Sequence, residues 1–411
     1  MPAINAARLL ADLDHLRSIG AVETGVVRPA LSDKDMEARR WLQQRFEDAG
    51  LDTTIDGVGN VLGRSPKPGP VLLIGSHSDT QPRGGWLDGA LGVIYGLEIA
   101  RALAEDPDTA ELAVDVVSWQ DEEGTYMSCL GSRSWCGTLD PEVEKTAASK
   151  EGVSVAEAIE AAGLTGVPRL TIEPNRYLGY LEAHIEQGAY LEQAGEHIGV
   201  VTAIVGIQAM RFRFHGEQNH AGTTTMARRK DASAALYELA HRINQEFPSV
   251  ANDRTVWTMG RARIEPGAPS IVPGYAELDL QFRDRDEAIL ERFRDIATAI
   301  AQDIAGRGKV KVDVDPARAP VHPSLMDEGF QEHIAAAAEA AVPGKWQRMP
   351  SAAGHDPMII SHKLPCAMLF IPSIGGISHD FAEDSDREDI VIGCRVLADA
   401  AASILRERRN A

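Results

Sequence analysis

Two rhythms of apolar and polar residues run along the chain. In the first, short continuous apolar runs each end in a polar cluster. Residues 71–75 lead into SHSDT and a glycine-rich loop, after which the spacing predicts a helix from about 90 to 104. Residues 112–118 form a second run and end in WQDEEG; residues 180–185 form a third and carry EAHIEQG. Apolar runs too short for helices, alternating with helical spacing, predict a mostly parallel sheet covered by helices. The polar clusters then fall at or just past the carboxyl ends of the strands, where open α/β sheets bind their ligands.

The second rhythm occupies the middle of the chain. Residues 209–215 (AMRFRFH) alternate with a period of two, as a half-exposed strand does, and 231–246 have helical periodicity. Residues 254–264 and 275–284 alternate again, 286–304 read as a long amphipathic helix, and 310–315 add a last strand. This β-α-β-β-α-β order resembles a ferredoxin-like insert over about residues 208–319. From Pro320 the first rhythm returns, with a helix near 331–341, a buried strand at 367–371 and a closing helix near 387–406. The expectation is an α/β chain with one domain from 1–207 and 320–411 and a second at 208–319. The opening MPAINAARLLADLDHLRSIG has helical spacing and lacks the basic start and apolar stretch of an export signal. SPKPGP and EPGAPSIVPG read as turns.

Composition narrows the classes. A length of 411 residues suits two domains, and 44% hydrophobic with 25% charged residues is a globular profile. No run of about 18 apolar residues occurs, so no membrane span is expected. A net charge of −20 argues against nucleic acid or an anionic membrane as partner. It does not exclude a small anionic substrate, because cations at a site overrule the global field. Cys129, Cys136, Cys366 and Cys394 show no zinc-type pairing and point to a reducing, cytoplasmic setting.

The polar clusters carry the candidate chemistry. His77, in His77-Ser78-Asp79, can hold a metal through one ring nitrogen while a carboxylate takes the proton on the other; the same triplet also occurs in ordinary loops. Asp88 lies between glycines, as turn and cap residues do, yet a carboxylate there can also bridge two cations about 3.5–4 Å apart. In Asp121-Glu122-Glu123 one Glu can ligate while its neighbour stays free as a general base, although a solvated acidic loop is the plain alternative. His184 and His379 complete a set with two open-sided sites sharing one Asp. Its nitrogen and oxygen donors suit Zn²⁺, Mn²⁺, Co²⁺ or Ni²⁺.

GSHSDTQPRGGWLDGALGV, DEEG, EAHIEQGAYLE, GVVTAIVGIQ, GEQNHAGTTTMARRKDA, SAAGHDPM and FIPSIGGISHDFAE appear in that order. With these motifs the chain resembles the hydantoinase/carbamoylase amidases. That group includes N-carbamoyl-L-amino-acid hydrolases, β-ureidopropionases and allantoate amidohydrolases, within the dinuclear-zinc aminoacylase and carboxypeptidase superfamily. The resemblance implies a mostly parallel-sheet metallohydrolase domain with an inserted ferredoxin-like dimerisation (lid) domain. It implies two divalent cations per subunit, one on His77, Asp88 and His184 and one on Asp88, Glu123 and His379. Glu122 would be the general base, Asp79 would orient His77, and His220 would stabilise the oxyanion in the partner subunit's site. Gln208, Arg283 and Ser270 fall at substrate-binding positions, and the Arg283 guanidinium suits a carboxylate clamp.

The implied reaction is hydrolysis of an N-carbamoyl-L-amino acid, or a close ureido acid, to amino acid, CO₂ and NH₃ by a cytoplasmic homodimer. Allantoate, ureidoglycolate and N-acyl amino acids are the alternative substrates. A catalytically silent metal-binding scaffold is the rival of a different class, and Glu122 beside Glu123 argues against it. The chain departs from the family at Ser270, where Asn is usual, at Thr225 and Phe381, where Pro is usual, and at Ala352, where Gly is usual. No departure falls on an implied metal ligand, so they bear on substrate rather than reaction type.

Overall fold

In the computed structural model, which describes residues 2–410, the strand Val71–His77 is buried at every position, as are Ala113–Trp119 and Cys366–Ile371. Together with Tyr177–Ile185 they form the parallel centre of a sheet, ordered Cys366–Ile371, Tyr177–Ile185, Val71–His77, Ala113–Trp119. Strands covered on both faces have no solvent side, which is why they read as unbroken apolar runs. The sheet turns antiparallel at its flanks. Ile198–Ile204 pairs with Cys366–Ile371 on one side, and the hairpin Asp52–Ile55 with Val61–Arg64 continues from Ala113–Trp119 on the other.

Two compact units divide the chain, Met1–Ala203 with Leu325–Ala411 and Ile204–Ser324. In the first, the helix Ala90–Glu105 lies against the central strands and is buried from Ala90 to Leu103, with Ala6–Ser18 and Arg387–Asn410 beside it. Leu13, Tyr95, Leu97, Ile74, Leu369 and Leu397 share the resulting core. Strand limits matter for the site. The run expected at 71–75 extends to His77, which is therefore a strand residue in register with Trp119. The helix Asp33–Asp48 and the Asp52–Arg64 hairpin were not expected from the pattern. Asp52-Thr53-Thr54-Ile55 is too short and polar to announce a strand by itself.

The second unit is a four-stranded antiparallel sheet in the order Val256–Glu265, Tyr275–Asp284, Gly206–His215, Lys311–Pro316. Helices Ala232–Glu246 and Glu287–Gly306 cover one face, and the order is ferredoxin-like. Met210, Phe212, Phe214, Leu278, Leu280 and Phe282 meet Leu239, Phe293 and Ile300 of these helices in one core. The opposite face carries charge, with Arg211 paired to Asp279 and Arg213 to Glu277. Among the described residues no helix is long and apolar enough to cross a membrane.

Candidate metal centre

The candidate ligands of the first unit gather at one edge of its sheet because the parallel strands all end there. His77 closes Val71–His77, His184 is the penultimate residue of Tyr177–Ile185, and Glu122 and Glu123 follow Ala113–Trp119. His379 comes from the loop after Cys366–Ile371, and Asp88 lies just before the helix Ala90–Glu105. A carboxylate at that helix start is favoured by the peptide dipoles behind it.

Asp88 is the centre of the arrangement. Its Oδ1 lies 3.0 Å from Nε2 of His184 and 3.6 Å from Nε2 of His77, while its Oδ2 lies 3.2 Å from Nε2 of His379. Glu123 Oε2 is 3.7 Å from the same nitrogen of His379. The donor atoms of His77, Asp88 and His184 all fall within 4.8 Å of one another, as do those of Asp88, Glu123 and His379. Two groups of nitrogen and oxygen donors sharing one carboxylate fit a pair of divalent cations, and neutral imidazoles with carboxylates suit Zn²⁺ and its first-row neighbours.

The electrostatics agree with that fit. Burial works against ionising Asp88, but the imidazoles of His184, His379 and His77 hold it well below the usual carboxylate range. Burial pushes Glu122 well up, against the pull of His77 and reinforced by Glu123, Asp356 and Asp79. Glu123 is pushed up to about 7 by burial and by Asp88. The hydrogen bond to Asp88 lifts His379 to about 9. Carboxylates this crowded and this buried call for positive charge among them, which a divalent cation would supply.

Ring orientation is set by backbone carbonyls. His184 Nδ1 meets the carbonyl oxygen of Ile185 at 2.9 Å, and His77 Nδ1 meets that of Asp79 at 3.1 Å. The Asp79 carboxylate stands farther off, 3.8 Å from the ring nitrogen, and instead accepts the Glu123 backbone N–H at 3.3 Å. Asp79 thus reaches His77 through its main chain, because the chain turns directly after the strand and brings that carbonyl back under the ring. Its Oδ2 serves the neighbouring acid loop, and its Oδ1 lies 3.7 Å from Nη2 of the buried Arg39.

The three consecutive acids have divided roles. Asp121 accepts the N–H groups of Thr125, Tyr126 and Met127 at 2.6, 3.0 and 2.8 Å, and its own backbone is left-handed at φ 54°. It is the anchor of the turn. Glu122 points its Oε2 to within 3.7 Å of His77 Nε2, into a cavity of about 190 Å³ that Asp88, Glu123, His184 and His379 also line.

Gln187, His355 and Glu383 went unrecognised as site residues in the sequence. Gln187 Nε2 donates to Asp88 Oδ2 at 3.1 Å and lies 3.3 Å from His379 Nε2. His355 packs its ring 4.5 Å from that of His184. Glu383 accepts the Asp88 backbone N–H at 3.0 Å. All three stand inside the quoted motifs, but no spacing rule singles them out.

The candidates of the second unit fall into two places. His220 is exposed on a short strand, Asn219–His220, paired with Ile271–Val272. Its Nδ1 accepts N–H groups from Gly222 at 3.0 Å and Thr223 at 3.2 Å, which places the proton of the neutral ring on Nε2. The Ser270 carbonyl accepts the Ala221 N–H at 2.9 Å, so Ser270 adjoins the His220 loop. Gln208 and Arg283 do not share a face. Gln208 is opposite Phe282 and Arg283 opposite Ile207, so Gln208 lies on the helix-covered side and Arg283 on the charged side.

The pattern of the peptidase family M20/M25/M40 matches residues 73–403. The chain is 33% identical over 403 residues to an N-carbamoyl-L-amino acid amidohydrolase of Geobacillus stearothermophilus, covering 96% of this chain and 97% of that protein. It is 32% identical to an allantoate amidohydrolase of Bacillus subtilis (strain 168), covering 94% and 95%. The crystal structure of a hydantoinase/carbamoylase family amidase from Burkholderia phymatum is similar over 99% of both chains, with a TM-score of 0.94 and 50% identity.

Proposed function

Since the chain belongs to the peptidase family M20/M25/M40, within its hydantoinase/carbamoylase amidases, we propose that it hydrolyses the ureido C–N bond of an N-carbamoyl-L-amino acid or close ureido acid. The products are the amino acid, CO₂ and NH₃. The observation that carries the reading is the placement of Asp88, whose two oxygens face different histidines. His77, Asp88 and His184 hold one divalent cation and Asp88, Glu123 and His379 hold the second, Zn²⁺ first, with Mn²⁺, Co²⁺ or Ni²⁺ as alternatives. Cations bound there polarise the substrate carbonyl and make a nearby water more acidic.

The remaining chemistry belongs to the side chains. Glu122 takes a proton from the attacking water at its carboxylate and delivers it to the leaving nitrogen. His220 donates from Nε2 to the oxyanion, acting in the partner subunit's site of a homodimer. Arg283 clamps the substrate carboxylate, with Ser270 beside the His220 loop as a second polar contact. Gln208, expected as a substrate ligand, faces the helix-covered side of the sheet, opposite to Arg283, and does not share that substrate. The four cysteines, all buried and free, are in keeping with a cytoplasmic setting.

The test is a substrate panel. Protein reconstituted separately with Zn²⁺, Mn²⁺, Co²⁺ or Ni²⁺ is offered N-carbamoyl, N-acetyl and N-formyl amino acids of both hands, allantoate and ureidoglycolate. Ammonia release from N-carbamoyl-L-amino acids is expected. Amine release from N-acetyl substrates alone would reject the ureido reading, and inactivity throughout would favour the silent scaffold.

A further inference from the structure

Behind the candidate ligands lies a carboxylate that the reaction does not use. Glu383 is 1% exposed. Its Oε1 accepts the backbone N–H groups of Leu87 at 3.2 Å and Asp88 at 3.0 Å, and its Oε2 accepts the Ser378 hydroxyl at 2.9 Å. Asp88 carries the shared carboxylate, and Ser378 directly precedes His379, whose backbone is held left-handed at φ 54°. One side chain therefore ties the loop entering the helix Ala90–Glu105 to the loop leaving the strand Cys366–Ile371. The chain makes room for it, because a Cβ on Gly85 would fall 1.8 Å from Glu383 Oε1.

The environment of this carboxylate is lopsided. Among the described residues no arginine or lysine pairs with it, and Asp88 and His379 are its charged neighbours. A carboxylate buried next to another carboxylate is costly unless positive charge faces the pair. The Asp88, Glu123 and His379 donors gather where such charge would sit. The coupling is reciprocal: whatever steadies Glu383 is steadied by it.

We propose that Glu383 is a positioning residue for the cation site formed by Asp88, Glu123 and His379, fixing the first and last of these relative to each other. The proposal rests on the two-cation reading above. Asp88 serves both sites but His379 only one, so losing Glu383 weakens the Asp88–Glu123–His379 site more than the His77–Asp88–His184 site. Partners of metal ligands typically change metal affinity about 10–100-fold when replaced.

The experiment is titration of Zn²⁺ into chelator-treated full-length protein, with circular dichroism as the check on folding. Wild type is expected to take up two equivalents per chain. E383Q keeps the shape and loses the charge, and is expected to bind one equivalent about 10–100-fold more weakly while the other shifts less. S378A removes the hydroxyl contact with Glu383 together with longer ones to Gln187 Nε2 at 3.3 Å and Asp88 Oδ2 at 3.5 Å; it is expected to move the same equivalent in the same direction and serves if E383Q does not fold. Wild type taking two equivalents, with either folded variant unchanged or with both equivalents weakened alike, overturns the proposal alone. Wild type taking fewer than two overturns the two-cation reading beneath it.

Discussion

Gly89 stands so close to His77 that a Cβ on it would lie 2.4 Å from the ring nitrogen Nε2, the atom that faces Asp88. The backbone at Gly89 is also left-handed, at φ 67°. Gly89→Ala must therefore displace a candidate ligand as well as strain the main chain, the latter costing about 1–2 kcal/mol. The expected outcome is a fall in bound metal that exceeds the fall in melting temperature's share of unfolded protein. Mass spectrometry of bound metal beside a thermal melt measures both, and full metal content would contradict the close approach.

Glu122→Gln separates proton transfer from metal binding. The carboxamide keeps the size and loses the basicity, so metal content should stay at the wild-type level while turnover drops at least about 10²–10⁴-fold. A variant turning over at near-normal rate would remove Glu122 from the role of base.

Asp79→Ala should act on the acid loop rather than on the ring beside it. The carbonyl that meets His77 Nδ1 survives the substitution, whereas the Glu123 backbone N–H loses its acceptor. One cation equivalent is expected to weaken more than the other, by about tenfold or more. Greater weakening of the His77–Asp88–His184 site than of the Asp88–Glu123–His379 site would mean that the side chain orients His77 after all.

Arg283→Lys replaces a planar fork with a point charge. KM for carboxylate-bearing substrates should rise with kcat little changed, the pattern of lost ground-state binding. Steady-state kinetics unchanged in both constants would count against the clamp.

Asp121→Ala leaves three backbone N–H groups of the following turn without their acceptor. A fully buried donor left unmet costs about 1–3 kcal/mol, and these half-buried ones cost less each, so denaturant unfolding should show a measurable loss of stability. An unchanged midpoint would show that water replaces the carboxylate in full.

The fold class and the convergence of His77, Asp88, Glu123, His184 and His379 were legible in the sequence for one reason. Parallel strands buried on both faces betray themselves as apolar runs, and residues just past their ends must share an edge. What stayed hidden depends on long-range geometry. The contact of Glu383 with Asp88 spans 295 positions, and that of Gln187 with Asp88 spans 99. The opposite facing of Gln208 and Arg283 was within reach of the sequence, since Gln208 falls in step with the apolar Met210, Phe212 and Phe214 and Arg283 with the polar Gln281 and Asp279. That Asp79 meets His77 with its backbone carbonyl depends on the path of the turn after the strand, which residue type cannot specify.

Were Asp88 to face one cation with each of its oxygens, its single negative charge would be divided between them. Filling the first position should therefore lower the donor strength left for its neighbour, so that loading runs in order rather than all at once. When the ion is scarce, the population would consist largely of half-loaded molecules, and activity would follow the weaker position alone.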